Sequence, residues 1–152
     1  AEWAPGEPPA PLRLQTAAGE FPFAALICYE AIFGDLARQA VRRGAGCLVN
    51  VTNDGWFGQT AGPLQHADLS RLRAVECGVP LVRCANNGVS LVCGPDGRVA
   101  ARLGLHRRGV LLRPVTARPG DTLYVRAGAW PALGWLLAAT AVVLAAARGR
   151  RP

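Results

Sequence analysis

Three consecutive residues, Cys28, Tyr29 and Glu30, stand at the end of an apolar run in "FAALICYEAIFGD". A cysteine there admits two readings. Free cysteines commonly fill core space as small hydrophobes. A cysteine at a sharp strand-to-helix turn, with backbone N–H groups pointing outward, instead has the geometry of an acyl-transfer nucleophile whose oxyanion those donors would hold. The local pattern leaves both open. A nucleophile also needs a base and a fixed cation. The chain has 17 basic residues, all arginine, so it supplies no lysine.

The elements that would position Cys28 follow from periodicity. Residues 23–28 form a short apolar run of buried-strand length, and the next fifteen residues place Ile32, Leu36, Ala40 and Val41 on one helical face, with Gly44 suited to stop it. "GCLVNVT" (46–52) reads as a second buried strand, apolar enough to be covered on both faces of its sheet. "NDGWFGQTAG" (53–62) is a loop by its Asn, Asp and Gly content. A helix is predicted from Pro63 to Glu76, with Pro63 in its first turn and Gly78 after its end. Strands are predicted at 80–85 and 89–94, in the segment "RVAARL" after the turn 95–97, and at 109–115. Strand, helix, strand, helix and then consecutive strands indicate a layered α/β domain.

Both ends differ in character. Residues 1–20 are rich in proline and alanine and read as a linker arriving from something upstream. The chain lacks methionine and opens without a signal-like segment, so it is expected to be a piece of a longer protein. From Trp130 to Ala147 no residue is charged, and a helix of that length would span about 27 Å, close to a bilayer core. Residues 128–148 are therefore expected to form a transmembrane helix, with Trp130 and Trp135 as interfacial anchors. The arginines that follow place the 149–152 tail in the cytoplasm. A helix packed inside the domain is the alternative.

The net charge of +7 would suit nucleic acid, but the arginines are scattered without interleaved aromatics, so no nucleic-acid partner is expected. The five cysteines, Cys28, Cys47, Cys77, Cys84 and Cys93, have no CxxC spacing, and neither a metal site nor a cofactor is expected.

The ordered set "ICYEAIFGD", "CLVNVTNDGWFG", "GPLQHADLSRLRAVECGVPLVRCANNG" and "GPDGRV" resembles the nitrilase (carbon-nitrogen hydrolase) superfamily, and within it the apolipoprotein N-acyltransferase family. The resemblance covers roughly residues 21–148 and implies an α/β fold, a nitrilase-like αββα sandwich present in part over 21–127 and followed by the transmembrane helix. It implies a Glu-Lys-Cys triad with Cys28 as nucleophile, a phospholipid acyl donor and an apolipoprotein acceptor. The expected location is the bacterial inner membrane, with the catalytic domain in the periplasm. Tyr29 would supply the N–H next to the nucleophile, and Glu30 would orient the lysine or the acceptor amine, unless it is simply an acid favoured by a helix start. Trp56 and Phe57 would line the acyl entrance or else plug the loop against the domain. Asn53 and Asp54 read as turn caps, His66 as structural, and Arg73 with Glu76 as a bracing pair. The triad's lysine and glutamate would lie upstream, so the fragment alone is expected to be inactive. A nitrilase-type amidase and a non-catalytic membrane-tethered remnant are the competing readings.

Overall fold

The structure is a computed structural model that describes residues 10–148, the side chains of 147 and 148 aside. Six strands form one mixed sheet in the order β1 (Leu12–Thr16), β2 (Gly19–Ile27), β3 (Leu48–Thr52), β4 (Leu81–Ala85), β5 (Ser90–Cys93) and β6 (Val99–Leu103). The central three strands are parallel; β1 joins β2, and β5 and β6 follow β4, in antiparallel pairs. Helices α1 (Gly34–Arg42) and α2 (Gly62–Cys77) make the two crossovers between parallel strands, as parallel pairing requires.

Register divides the sheet into two unlike faces. Ala24, Leu48 and Leu81 form one row across the parallel strands, and Leu26, Asn50 and Arg83 form the next. All six are at most 1% exposed, beneath α1 and α2, which contribute Ala37, Ala40, Val41, Ala67, Ala74 and Cys77 to the same core. The alternate row, Ile27, Val51 and Cys84, is exposed. The expected cover on both faces is thus not met among the described residues: side chains alternate, and both crossover helices lie on one side.

The predicted helix ends hold where backbone geometry dictates them. Gly78 adopts φ +68 and its N–H bonds the Ala74 carbonyl at 2.8 Å, closing α2. The first helix starts later than its periodicity suggests. Residues Cys28–Ile32 form a 3-10 turn, and Phe33, at φ −84 and ψ 99, separates it from α1.

Elsewhere the sequence reading needs correction. Of the expected linker, residues 1–9 lie outside the described residues, while 12–16 and 19–20 are strand. Exposed Leu12 and Leu14 show why: β1 is an edge strand paired only with β2, so burial leaves little apolar alternation to read. Residues 109–115 carry no strand, and most of that apolar run is exposed. Two helices close the described chain, α3 (Leu123–Ala127) and α4 (Trp130–Arg148). Among the described residues, however, no helix is long and apolar enough to cross a membrane. The expected tail at 149–152 lies outside the described residues.

Candidate active site

The carboxyl ends of the three parallel strands carry the chain segments in which α/β sheets usually place ligands. Cys28 follows β2 directly, residues 53–57 follow β3, and Asn86–Gly88 follow β4. Cys28 is the first residue after β2 and is half-buried. Its φ is +50, a left-handed conformation that costs a non-glycine residue about 1–2 kcal/mol.

Such a conformation persists only where its surroundings impose it, and two side chains do so. Asn50 Nδ2 donates to the carbonyls of Leu26, at 2.8 Å, and Cys28, at 3.2 Å. On the other side of the turn, Glu30 Oε2 accepts from the Ile27 N–H at 2.7 Å. Glu30 therefore braces the backbone that carries the cysteine.

Asn50 is itself held from below. Arg83, 1% exposed in β4, donates through Nη1 to Asn50 Oδ1 and, at 3.0 Å, to Ser70 Oγ. Its Nε donates to the Val89 carbonyl at 3.2 Å, and its Nη2 to Asp54 Oδ2 at 2.7 Å. Burial pushes the Arg83 guanidinium below its usual value; ionic and hydrogen-bonded contact with Asp54, and the nearby Cys28 thiol, act in the opposite direction. Thr52 Oγ1 donates to Asp54 Oδ1 at 3.0 Å, and His66 Nδ1 lies 2.9 Å from the same oxygen. The same His66 Nδ1 lies 3.2 Å from Arg83 Nη2, so the imidazole nitrogen is shared between the carboxylate and the guanidinium. His66 Nε2 is buried without a hydrogen-bond partner among the described residues. The ring lies between Tyr29 and Phe57, with centroids at 5.7 and 5.5 Å.

The residues singled out from sequence are thus distributed as follows. Cys28, Tyr29 and Glu30 share the turn. Phe57 is half-buried and meets His66, which places it near Tyr29, while Trp56 is 87% exposed. Asn53 caps its own loop, accepting from the Gly55 N–H at 3.1 Å. Asp54 does not: it is 1% exposed and belongs to the buried network. Arg73 and Glu76 pair at 3.0 Å, and Arg73 also donates to the Ile32 carbonyl at 2.9 Å. Asn50, Ser70 and Arg83 are absent from the sequence reading. The available signal was a polar residue at an inward position of an apolar strand, which must find partners. Among the described residues no group of three or more His, Cys, Asp or Glu could hold a metal.

The arrangement presents a half-exposed thiol on a strained turn beside a buried, hydrogen-bonded cation, which suits a nucleophile that must keep one geometry through two transfer steps.

Comparison with known proteins finds relatives in sequence and in fold. The carbon-nitrogen hydrolase family profile matches residues 3–119. Apolipoprotein N-acyltransferase of Rhodopseudomonas palustris is 47% identical over 131 residues, 86% of this chain and 24% of that protein. The protein of the same name from Bradyrhizobium diazoefficiens is 50% identical over 124 residues, 81% and 22% of the two chains. The chain thus spans about a quarter of the length of these relatives. Among solved structures, an amidase from Nesterenkonia sp. AN1, showing covalent addition of the acetamide moiety of fluoroacetamide at its active site cysteine, superimposes with a TM-score of 0.52 at 30% identity, over 68% of this chain and 40% of that one. A carbon-nitrogen hydrolase from Helicobacter pylori G27 gives 0.58 at 18% identity, over 70% and 43%, a likeness of fold alone.

Two measurements check the geometry. Burial pushes the Cys47 and Cys77 thiols up to about 12, and Cys93 upward as well. Burial disfavours the thiolate, so raising the pH to about 9 leaves Cys47 and Cys77 protonated, and all three thiols are shielded. Iodoacetamide on the folded protein should therefore label Cys28 and Cys84 and spare the rest, with all five reacting in urea; equal labelling of Cys77 and Cys84 in the folded state would contradict the burial. Second, Arg83→Met strands Asp54 without its cation and should cost about 3–5 kcal/mol in urea unfolding. A loss below about 1 kcal/mol would mean that the network does not carry the fold.

Proposed function

The chain belongs to the carbon-nitrogen hydrolase family, and on that footing we propose that it is the C-terminal portion of an enzyme that N-acylates apolipoproteins through a thioester on Cys28. The observation that carries this reading is the backbone at Cys28: a half-exposed thiol kept at φ +50 by Asn50 and Glu30. A residue serving only to fill the core gains nothing from that strain, whereas a nucleophile gains a fixed direction of attack.

In the proposed cycle the Cys28 thiolate attacks the ester carbonyl of a phospholipid. The Tyr29 N–H, one residue after the nucleophile, would donate to the resulting oxyanion. Collapse forms the thioester and breaks the acyl–oxygen bond, and the lysophospholipid alkoxide takes up the proton first removed from the thiol. The α-amino group of the diacylglyceryl-cysteine then attacks the thioester and loses a proton, and Cys28 leaves as thiolate. Moving those protons and fixing the oxyanion calls for a glutamate base and a lysine from chain preceding this segment, so the 152 residues alone would not turn over.

The exposed row of Ile27, Val51 and Cys84 supports an αββα arrangement, because a second sheet laid against it would cover those side chains. Residues 21–127 would then be one part of that sandwich. Helix α4 supports a membrane attachment through its exposed apolar residues, with the catalytic part on the periplasmic side of a bacterial inner membrane. Phe57, and Trp56 beside it on the same loop, would meet an incoming acyl chain.

A second reading has its own support in the amidase that carries its adduct on the active-site cysteine: the same thioester would release its acyl group to water. The two readings separate by product. Incubated with a labelled phospholipid and a diacylglyceryl peptide, the full-length protein should form a hydroxylamine-sensitive acyl adduct and N-acylated peptide. Cys28→Ala should lose both by at least about a hundredfold. Acylated peptide formed undiminished by Cys28→Ala would overturn the assignment, and free fatty acid as the sole product would favour hydrolysis.

A further inference from the structure

The arginines of α1 are not used by the site above, and they face a cleft that leads to the start of α4. A concavity of about 440 Å³ is lined by Asp35, Arg38, Arg42, Tyr124, Arg126 and Trp130, among others. A second, of about 380 Å³, shares Arg38 and Arg42 and adds Gln39 and Arg43. Across both linings the one acid is Asp35, against four arginines.

That acid is already engaged. Its Oδ1 accepts from Arg38 Nε at 2.8 Å and its Oδ2 from Gln39 Nε2 at 2.6 Å. Arg38 is fixed by this pair, with a side chain only 16% exposed, and it packs near Gly128, where the chain turns into α4. Arg126 is oriented by Asp121, its Nε donating at 2.6 Å. Arg42 lines both concavities and is exposed. With Arg38 paired to Asp35 and Arg126 to Asp121, the positive excess of the cleft rests on exposed Arg42, on a partly rigid frame open to an anionic group.

What adjoins it is apolar. Ala129, Trp130 and Leu133 line a neighbouring hollow, and beyond it Trp135, Leu136 and Leu137 are 62–78% exposed. An arginine cleft, an exposed indole at its rim and an apolar helix beyond it match, in order, the phosphate, interface and chains of a lipid.

We propose that this cleft binds the headgroup phosphate of an anionic phospholipid whose acyl chains lie along α4, as a bound lipid that is not the acyl donor. The inference rests on the membrane attachment proposed above but not on acyl transfer, and its test involves no turnover.

The full-length protein in neutral detergent would be exposed to phosphatidylglycerol or phosphatidylcholine, and retained lipid read by native mass spectrometry. Phosphatidylglycerol should be retained in preference to phosphatidylcholine. Arg42→Glu should weaken its retention by about tenfold or more, while Arg98→Glu, a charge reversal on the β5–β6 turn, leaves it unchanged. Equal retention of both lipids, or equal weakening by both substitutions, would overturn the proposal. So would binding of inorganic phosphate as tight as that of phosphatidylglycerol, which would make the occupant a free anion. Because retained lipid is read without turnover, failure of this proposal and failure of the acyl-transfer reading appear in different assays.

Discussion

The hydrogen bonds of the Arg83 guanidinium organise this fold. A charged group at 1% exposure is stable only when its donors are satisfied and its charge is balanced. Arg83 meets both requirements by drawing on four parts of the chain: Asn50 in β3, Ser70 in α2, the Val89 carbonyl before β5, and Asp54 in the loop after β3. Through Asn50 the demand reaches the carbonyl of Cys28. The buried charge is thus expensive to maintain, and what it secures is one position for the turn that carries the thiol.

This constraint also explains why certain glycines sit where they do. A Cβ on Gly88 would fall 1.9 Å from Asp54 Oδ2, so the loop after β4 can close over the network only without a side chain there. Gly34 is comparable at the start of α1, where a Cβ would fall 2.5 Å from the Tyr124 hydroxyl and 2.7 Å from Arg73 Nη1. The second contact lies where Arg73 ties the end of the 3-10 turn, at the Ile32 carbonyl, to α2. The turn that carries Cys28 is therefore clamped on both sides, from the sheet by Asn50 and from the helical layer by Arg73.

Much of this architecture is legible in the sequence because burial imposes period. The parallel strands and α2 announce themselves through Leu48, Leu81 and Ala74, and their ends through glycines that must reverse the chain. Edge strand β1 is illegible for the opposite reason: Leu12 and Leu14 are exposed, and pairing rather than burial makes them strand. At the site, Cys28, Tyr29 and Glu30 stand out as a contiguous triplet. The support beneath them does not, because Asn50, Asp54, His66, Ser70 and Arg83 are far apart in the chain and meet only through register and crossover. Asp54 in particular resembles an ordinary turn residue until Gly88 and Arg83 are seen to enclose it.

The central claim is that the backbone at Cys28 is strained for chemistry and held there by its surroundings. The most direct measurement is the unfolding free energy of Cys28→Gly. Glycine adopts φ +50 without strain, a gain that offsets its greater freedom in the unfolded chain. The account predicts that Cys28→Gly is as stable as the native chain to within about 1 kcal/mol. A loss of about 2 kcal/mol or more would identify Cys28 as a packing residue and contradict the account.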